Sequence, residues 1–132
     1  MDFESSSVPA NRLLTILLAE DNIINQKVAL MNLKKLGYKA EVATNGLEVI
    51  AAVQSQSYDV ILMDVQMPEM DGLEATRWIC QHFSNQQKPR IIAMTANEME
   101  GDKQICLDAG MDDYLTKPLN LESLKQALSW VK

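Results

Sequence analysis

Aromatic residues are scarce, at 5% of the chain, so any core must be aliphatic, with eight methionines supplying adaptable bulk. A basic surplus is missing too. The formal net charge is −6, which argues against a nucleic-acid-binding face. No apolar run approaches the about 20 residues that a membrane span requires. The opening stretch MDFESSSVPANR lacks the basic-then-apolar order of a signal peptide. A cytoplasmic domain without membrane contact is therefore expected. Only two cysteines occur, Cys80 and Cys106, with no CxxC or metal-ligand spacing, so they read as reduced thiols near the core. Neither a Walker loop nor GxGxxG is present, and no internal repeat or low-complexity segment stands out.

What is present fits one domain of ordinary size. Residues 1 to 12, serine-rich with Pro9, read as a flexible linker, leaving 13 to 132 as the folded unit. Apolar runs at Leu14 to Ala19, Lys39 to Ala43, Val60 to Met63, Arg90 to Met94 and Asp113 to Leu115 predict five strands. Five helical segments alternate with them. The first ends at Gly37, the second is capped by Asn45 and runs to about Gln56, and the third covers Gly72 to Phe83. A loop over 96 to 101 should precede a short fourth helix with Asp102 as its cap. Leu121, Leu124, Leu128 and Val131 make an apolar stripe on the last helix. The first, third and fourth strands are near-continuous apolar runs, which suits strands covered on both faces. The fold class is thus α/β, with a parallel sheet between helical layers.

The polar residues gather where strands end. Glu20 and Asp21 follow the first strand, Asp64 the third, Thr95 the fourth, and Thr116-Lys117-Pro118 the fifth. In a parallel sheet these ends share one rim, where ligands collect. Each one singly reads as a cap, a turn residue or a surface lysine; jointly they describe a pocket. Carboxylates about 4 Å apart repel by about 4 kcal/mol per pair at an effective dielectric near 20. Either their pKa values rise or a cation joins them. All-oxygen ligands suit Mg²⁺, and a carboxylate beside it is a competent nucleophile toward phosphorus. Lys117 can hold a phosphoryl oxygen, and Thr95 can donate its hydroxyl to one.

At this point the residues resemble a family. AEDN at 19–22, LMDVQMPEMDG at 62–72, AMTA at 93–96 and DDYLTKPL at 112–119 look like the receiver domain of two-component response regulators. The finer wording is similar to receivers of hybrid sensor histidine kinases and multistep phosphorelays. The resemblance implies a flavodoxin-like, doubly wound fold with strand order 2-1-3-4-5. It implies Asp64 as phosphoacceptor from a phosphohistidine, with slow autodephosphorylation and no enzymatic role beyond that self-modification. It implies Mg²⁺, with Mn²⁺ as an alternative, held by Asp21, Asp64 and the main-chain carbonyl of Gln66, with Glu20 reaching it through water. Thr95 and Lys117 would bind the phosphoryl group, Thr95 and Tyr114 would form the switch, and Pro118 would follow a cis peptide bond.

The first helix carries more apolar residues than one buried face requires. Asn25, Val28, Ala29, Leu33 and Leu36 are expected inward, with Ile23 and Leu30 on the far side and Ile24 and Met31 on a flank. The surplus at Ile23, Ile24 and Met31 suggests docking of a histidine kinase or a histidine phosphotransfer protein. His82, the sole histidine, reads as a surface residue, and Trp78 and Trp130 as packing or surface residues. A haloacid-dehalogenase-like phosphatase would need an acid at position 66, which is Gln66. A flavodoxin would need a phosphate-cradling loop where acidic EDN stands. A protein-binding pseudo-receiver is the remaining alternative, and Asp64, Thr95 and Lys117 argue against it.

Overall fold

The structure is a computed structural model and describes residues 14–84, 86–96, 100–117 and 119–129. Ten elements alternate: β1 Ile16–Ala19, α1 Ile23–Lys35, β2 Ala40–Ala43, α2 Gly46–Ser55, β3 Val60–Asp64, α3 Gly72–His82, β4 Arg90–Thr95, α4 Glu100–Ala109, β5 Asp113–Thr116 and α5 Leu121–Ser129. The five strands form one sheet in the order β2-β1-β3-β4-β5, parallel throughout. The expected linker, the peptide bond at Pro118, and Trp130 and Val131 lie outside the described residues.

Strand periodicity divides the core into two. Leu17, Ile61, Met63, Ile91 and Ala93 face one side and pack with Val49, Val53, Ala75, Ile79 and Cys106 from α2, α3 and α4. Ile16, Leu18, Leu62, Ile92 and Met94 face the other and pack with Ala29, Leu33, Leu124 and Leu128 from α1 and α5. Strands β1, β3 and most of β4 are thus buried on both faces, as their unbroken apolar runs predicted.

Helix starts are set by local chemistry. Asn22 accepts from Asn25 N at 3.0 Å, and Asn45 from Glu48 N at 2.8 Å. Asp71 and Glu74 complete a capping box on α3. Helix α4 begins at Glu100, so Asp102 lies inside it rather than capping it, and 97–99 fall outside the described residues. First-turn N–H groups need no intrahelical partner, so Gly101 costs little order there. At α1's end, Gly37 takes φ +93, a left-handed stop.

Two inward assignments are corrected. Val28 is 36% exposed, whereas Leu30 packs against the α1/α5 core. Leu30 packs beside Leu36, Tyr38 and Ala40 at the margin of this cluster, and Asn32 Nδ2 donates to Leu119 O at 3.1 Å. Leu121, the first residue of α5, is 39% exposed because the helix meets the core only from Leu124 onward.

Candidate functional site

The chain turns to opposite sides after β1 and after β3, so the ends of these adjacent strands frame a crevice. Register places Ala19 beside Met63 and Asp64 beside Met94. Glu20 and Asp64 therefore meet at the rim. Beyond them lies a cleft of about 670 Å³, lined among others by Asp21, Asn25, Gln66, Thr95 and Lys117.

Glu20 and Asp64 are buried, and Asp21 is exposed. Lys117 follows the end of β5 and reaches both acids. Its Nζ lies 2.7 Å from Glu20 Oε1 and 3.0 Å from Asp64 Oδ2. The second Glu20 oxygen accepts from Asn22 N at 3.1 Å, so both of its oxygens are engaged. Gln66 N donates to Asp64 Oδ1 at 3.3 Å. Burial pushes the Asp64 carboxyl up to about 6, with the neighbouring Glu20 charge adding to the rise and Lys117 opposing it. Burial also acts to raise Glu20, but the Lys117 ammonium and the Asn22 N–H outweigh it and hold that carboxyl below its usual value. Lys117 is raised: burial disfavours its charge, and the two acids together overcome that.

Carboxylate oxygens of Glu20, Asp21 and Asp64 lie within 4.8 Å of one another. The donors are oxygen only, and one side of the set is open to water. That combination fits Mg²⁺, which keeps several waters and binds through one or two carboxylates.

The remaining predicted residues fall around this centre. Thr95 is half-buried at the end of β4, and its carbonyl accepts from Lys117 N at 2.7 Å. Tyr114 is half-buried against the α2/α3/α4 core, with Lys103 Nζ 5.0 Å over its ring. Ile23, Ile24 and Met31 are 63%, 71% and 55% exposed. Ile24 and Met31 align with Val28 at helical spacing into one stripe, while Ile23 sits apart from it. His82 is exposed and stacks on Trp78 with ring centroids 3.9 Å apart, away from the cleft.

Gly72 was missed as a site residue. Its N–H donates to Val65 O at 2.9 Å. A Cβ there would collide with the carbonyl oxygen of Asp64 and meet Met63 Cγ at 2.8 Å. The first turn of α3 thus rests on the main chain of the central acid. The sequence signal was a glycine opening a helix, a poor choice by propensity that only a close backbone approach rewards. Within the connection 65–71, Glu69 adopts φ 68, and Met70 O accepts from Gly46 N at 2.7 Å, tying the loop to α2.

Comparison with known proteins agrees with the geometry. Residues 16–129 match the family model of the response regulator receiver domain. Hybrid signal transduction histidine kinase K of Dictyostelium discoideum is 46% identical over 119 residues, covering 86% of this chain and 10% of that protein. Histidine protein kinase 1 of Candida albicans is 46% identical over 127 residues, covering 89% of this chain and 5% of that protein. The chain therefore spans a small fraction of these relatives. Among solved structures, the receiver domain of a Pseudomonas aeruginosa sensor histidine kinase has a magnesium ion coordinated in its active site cleft. It shares 42% identity at TM-score 0.79, covering 88% of this chain and 94% of that one. The Saccharomyces cerevisiae Ssk1 receiver domain, solved with the histidine phosphotransfer protein Ypd1, shares 32% identity at TM-score 0.80, covering 89% of this chain and 88% of that one.

Proposed function

The chain belongs to the response regulator receiver domain family, and on that premise we propose that Asp64 accepts a phosphoryl group from a phosphohistidine and so switches the domain's state. The carrying observation is the convergence of Glu20, Asp21 and Asp64 with Lys117 at 2.7 and 3.0 Å on one rim.

Asp21, Asp64 and the Gln66 carbonyl would hold Mg²⁺, or Mn²⁺ in its place. Glu20, whose oxygens serve Lys117 and Asn22, would act at one remove, through water. When bound, the ion supplies positive charge that offsets the phosphoryl oxygens. An Asp64 oxygen attacks phosphorus as the phosphorus–nitrogen bond breaks, and the imidazole departs with its electron pair. Lys117 moves its ammonium from Asp64 to a phosphoryl oxygen, held in place by Glu20. Thr95 donates its hydroxyl to another oxygen and shifts inward.

Tyr114 follows Thr95 by changing rotamer, giving up its place beside Lys103. Moving the population from 1:99 to 99:1 needs about 5.5 kcal/mol of preference. Two or three charge-assisted hydrogen bonds, about 1.5–3 kcal/mol each, can supply it. The domain is thus a switch rather than a turnover catalyst.

The donor reaches Asp64 from a histidine kinase or a histidine phosphotransfer protein seated on the exposed α1 stripe. The Ypd1 complex of the Ssk1 receiver supports a partner of this kind. The test compares a phosphorylated histidine phosphotransfer protein with acetyl phosphate as donors, in Mg²⁺. Changing Ile24 and Met31 to serine should lower the protein-donor rate at least about tenfold relative to the acetyl phosphate rate, since two contacts of about 1 kcal/mol each are lost. Equal changes for both donors would remove the docking surface from the account.

A further inference from the structure

Asn25 is the third residue of α1, and its main-chain N–H binds the Asn22 cap. At the same position in α2 and α3 stand Glu48 and Glu74, whose carboxylates reach back, to Thr44 N at 2.7 Å and Asp71 N at 3.5 Å. The Asn25 side chain makes no such return and has no hydrogen bond among the described residues. It is half-buried and lines the cleft beside Glu20, Asp64 and Lys117. On the helix surface it lies between the exposed Ile24–Val28–Met31 stripe and Lys117. A helix seated on that stripe would pass its histidine over Asn25 on the way to Asp64.

We propose that Asn25 is a donor-recognition residue whose side-chain amide engages the imidazole of an incoming phosphohistidine. This rests on the phosphoacceptor reading of Asp64. In the transfer, the bond from Asp64 oxygen to phosphorus forms as the phosphorus–nitrogen bond breaks. The electron pair stays on the departing ring nitrogen, and with the other nitrogen protonated the ring leaves as neutral imidazole. The amide oxygen accepts from the N–H of that other ring nitrogen and so orients the ring for departure. Acetate, the leaving group of acetyl phosphate, has no ring N–H to offer the same acceptor. A carboxylate at this position, as in α2 and α3, would add a further negative charge beside Glu20 and repel the phosphoryl group.

N-phosphoimidazole isolates this contact, because it carries the ring without a protein surface. In Mg²⁺, the ratio of its phosphorylation rate to that of acetyl phosphate should fall about tenfold in Asn25→Ala and in Asn25→Ser, the loss of one hydrogen bond. Leu47→Ser, at an exposed α2 position outside the cleft lining, should leave this ratio where it stands. In the unreactive Asp64→Asn chain, N-phosphoimidazole should also shift the side-chain amide signal of Asn25 in nitrogen-proton spectra. An unchanged ratio in both Asn25 variants, or an unmoved amide signal, would overturn the assignment. A parent chain that neither small donor phosphorylates would overturn the phosphoacceptor reading itself, and this assignment with it.

Discussion

Asp64→Asn is expected to make the metal-free domain more stable at neutral pH, by about 1–3 kcal/mol, although it removes a partner of the half-buried Lys117. The folded-state carboxyl titrates near 6 against an ordinary 3.8. At about 1.4 kcal/mol per unit, ionising Asp64 in the native state costs on the order of 2–3 kcal/mol. The direction follows from a raised carboxyl. The native state binds the proton more tightly than the unfolded chain, so stability is highest below the unfolded value and is lost as pH rises through 6. Glu20, held low, acts oppositely, but only as pH falls below its own ordinary value of 4.5. Between about pH 4.5 and 7.5 the Asp64 effect governs. Lys117 keeps its 2.7 Å contact with Glu20 in the variant, which limits the loss from the missing charge. Denaturant unfolding in chelator should show the parent weakening from pH 5 to 7.5 and Asp64→Asn holding level. Added Mg²⁺ should stabilise the parent most at the higher pH, by mass action on the native state. A variant weaker than the parent at both pH values without metal would refute the charge-crowding account.

The second large effect is Gly72→Ala. The added methyl meets the Asp64 carbonyl and Met63, both on a central strand that cannot retreat. Overpacking against such a site costs about 1–3 kcal/mol or more, and the small gain in helix propensity at a first-turn position does not offset it. The displaced group is the main chain of Asp64, the proposed phosphoacceptor, so Mg²⁺ stabilisation and the phosphorylation rate should fall along with stability. Gly37→Ala separates the two causes. Gly37 also has a left-handed backbone, at φ +93, but a Cβ there meets nothing within 4 Å. It should cost about 1–2 kcal/mol in backbone strain and leave Mg²⁺ binding intact. Thermal shifts of both variants across a Mg²⁺ titration make the comparison. Equal Mg²⁺ responses would reduce Gly72 to a packing residue.

Much of this arrangement was legible in the residues because strand burial and strand ends follow simple rules. Val60 to Met63 is apolar throughout because both faces are covered, and two-sided burial with helices alternating between strands favours parallel strands with a common rim. Once parallel, Asp64, Glu20 and Lys117 had to converge, and they do. Helix orientation was less legible. The α1 pattern placed Val28 inward and Leu30 outward, and the structure reverses them. Periodicity fixes which residues share a face, but the roll of that face is set by neighbours. Here Leu30 joins the margin of the α1/α5 cluster, and Asn32 fastens the helix to Leu119 O. The start of α4 was misplaced for a related reason: Gly101 reads as a breaker, yet a first turn asks little of it. Gly72 was hidden because its role is an absence, the missing Cβ that lets α3 reach Asp64.

The central claim is that Asp64, and no other side chain, carries the phosphoryl group. Borohydride converts an aspartyl phosphate to homoserine and leaves free carboxylates alone. The chain is treated with acetyl phosphate and Mg²⁺, reduced, digested and sequenced by mass. Homoserine should stand at position 64 alone, disappear when chelator replaces Mg²⁺, and be absent from Asp64→Asn. Homoserine at position 21, homoserine at 64 that persists without metal, or an intact aspartate at 64 after full treatment would contradict the account.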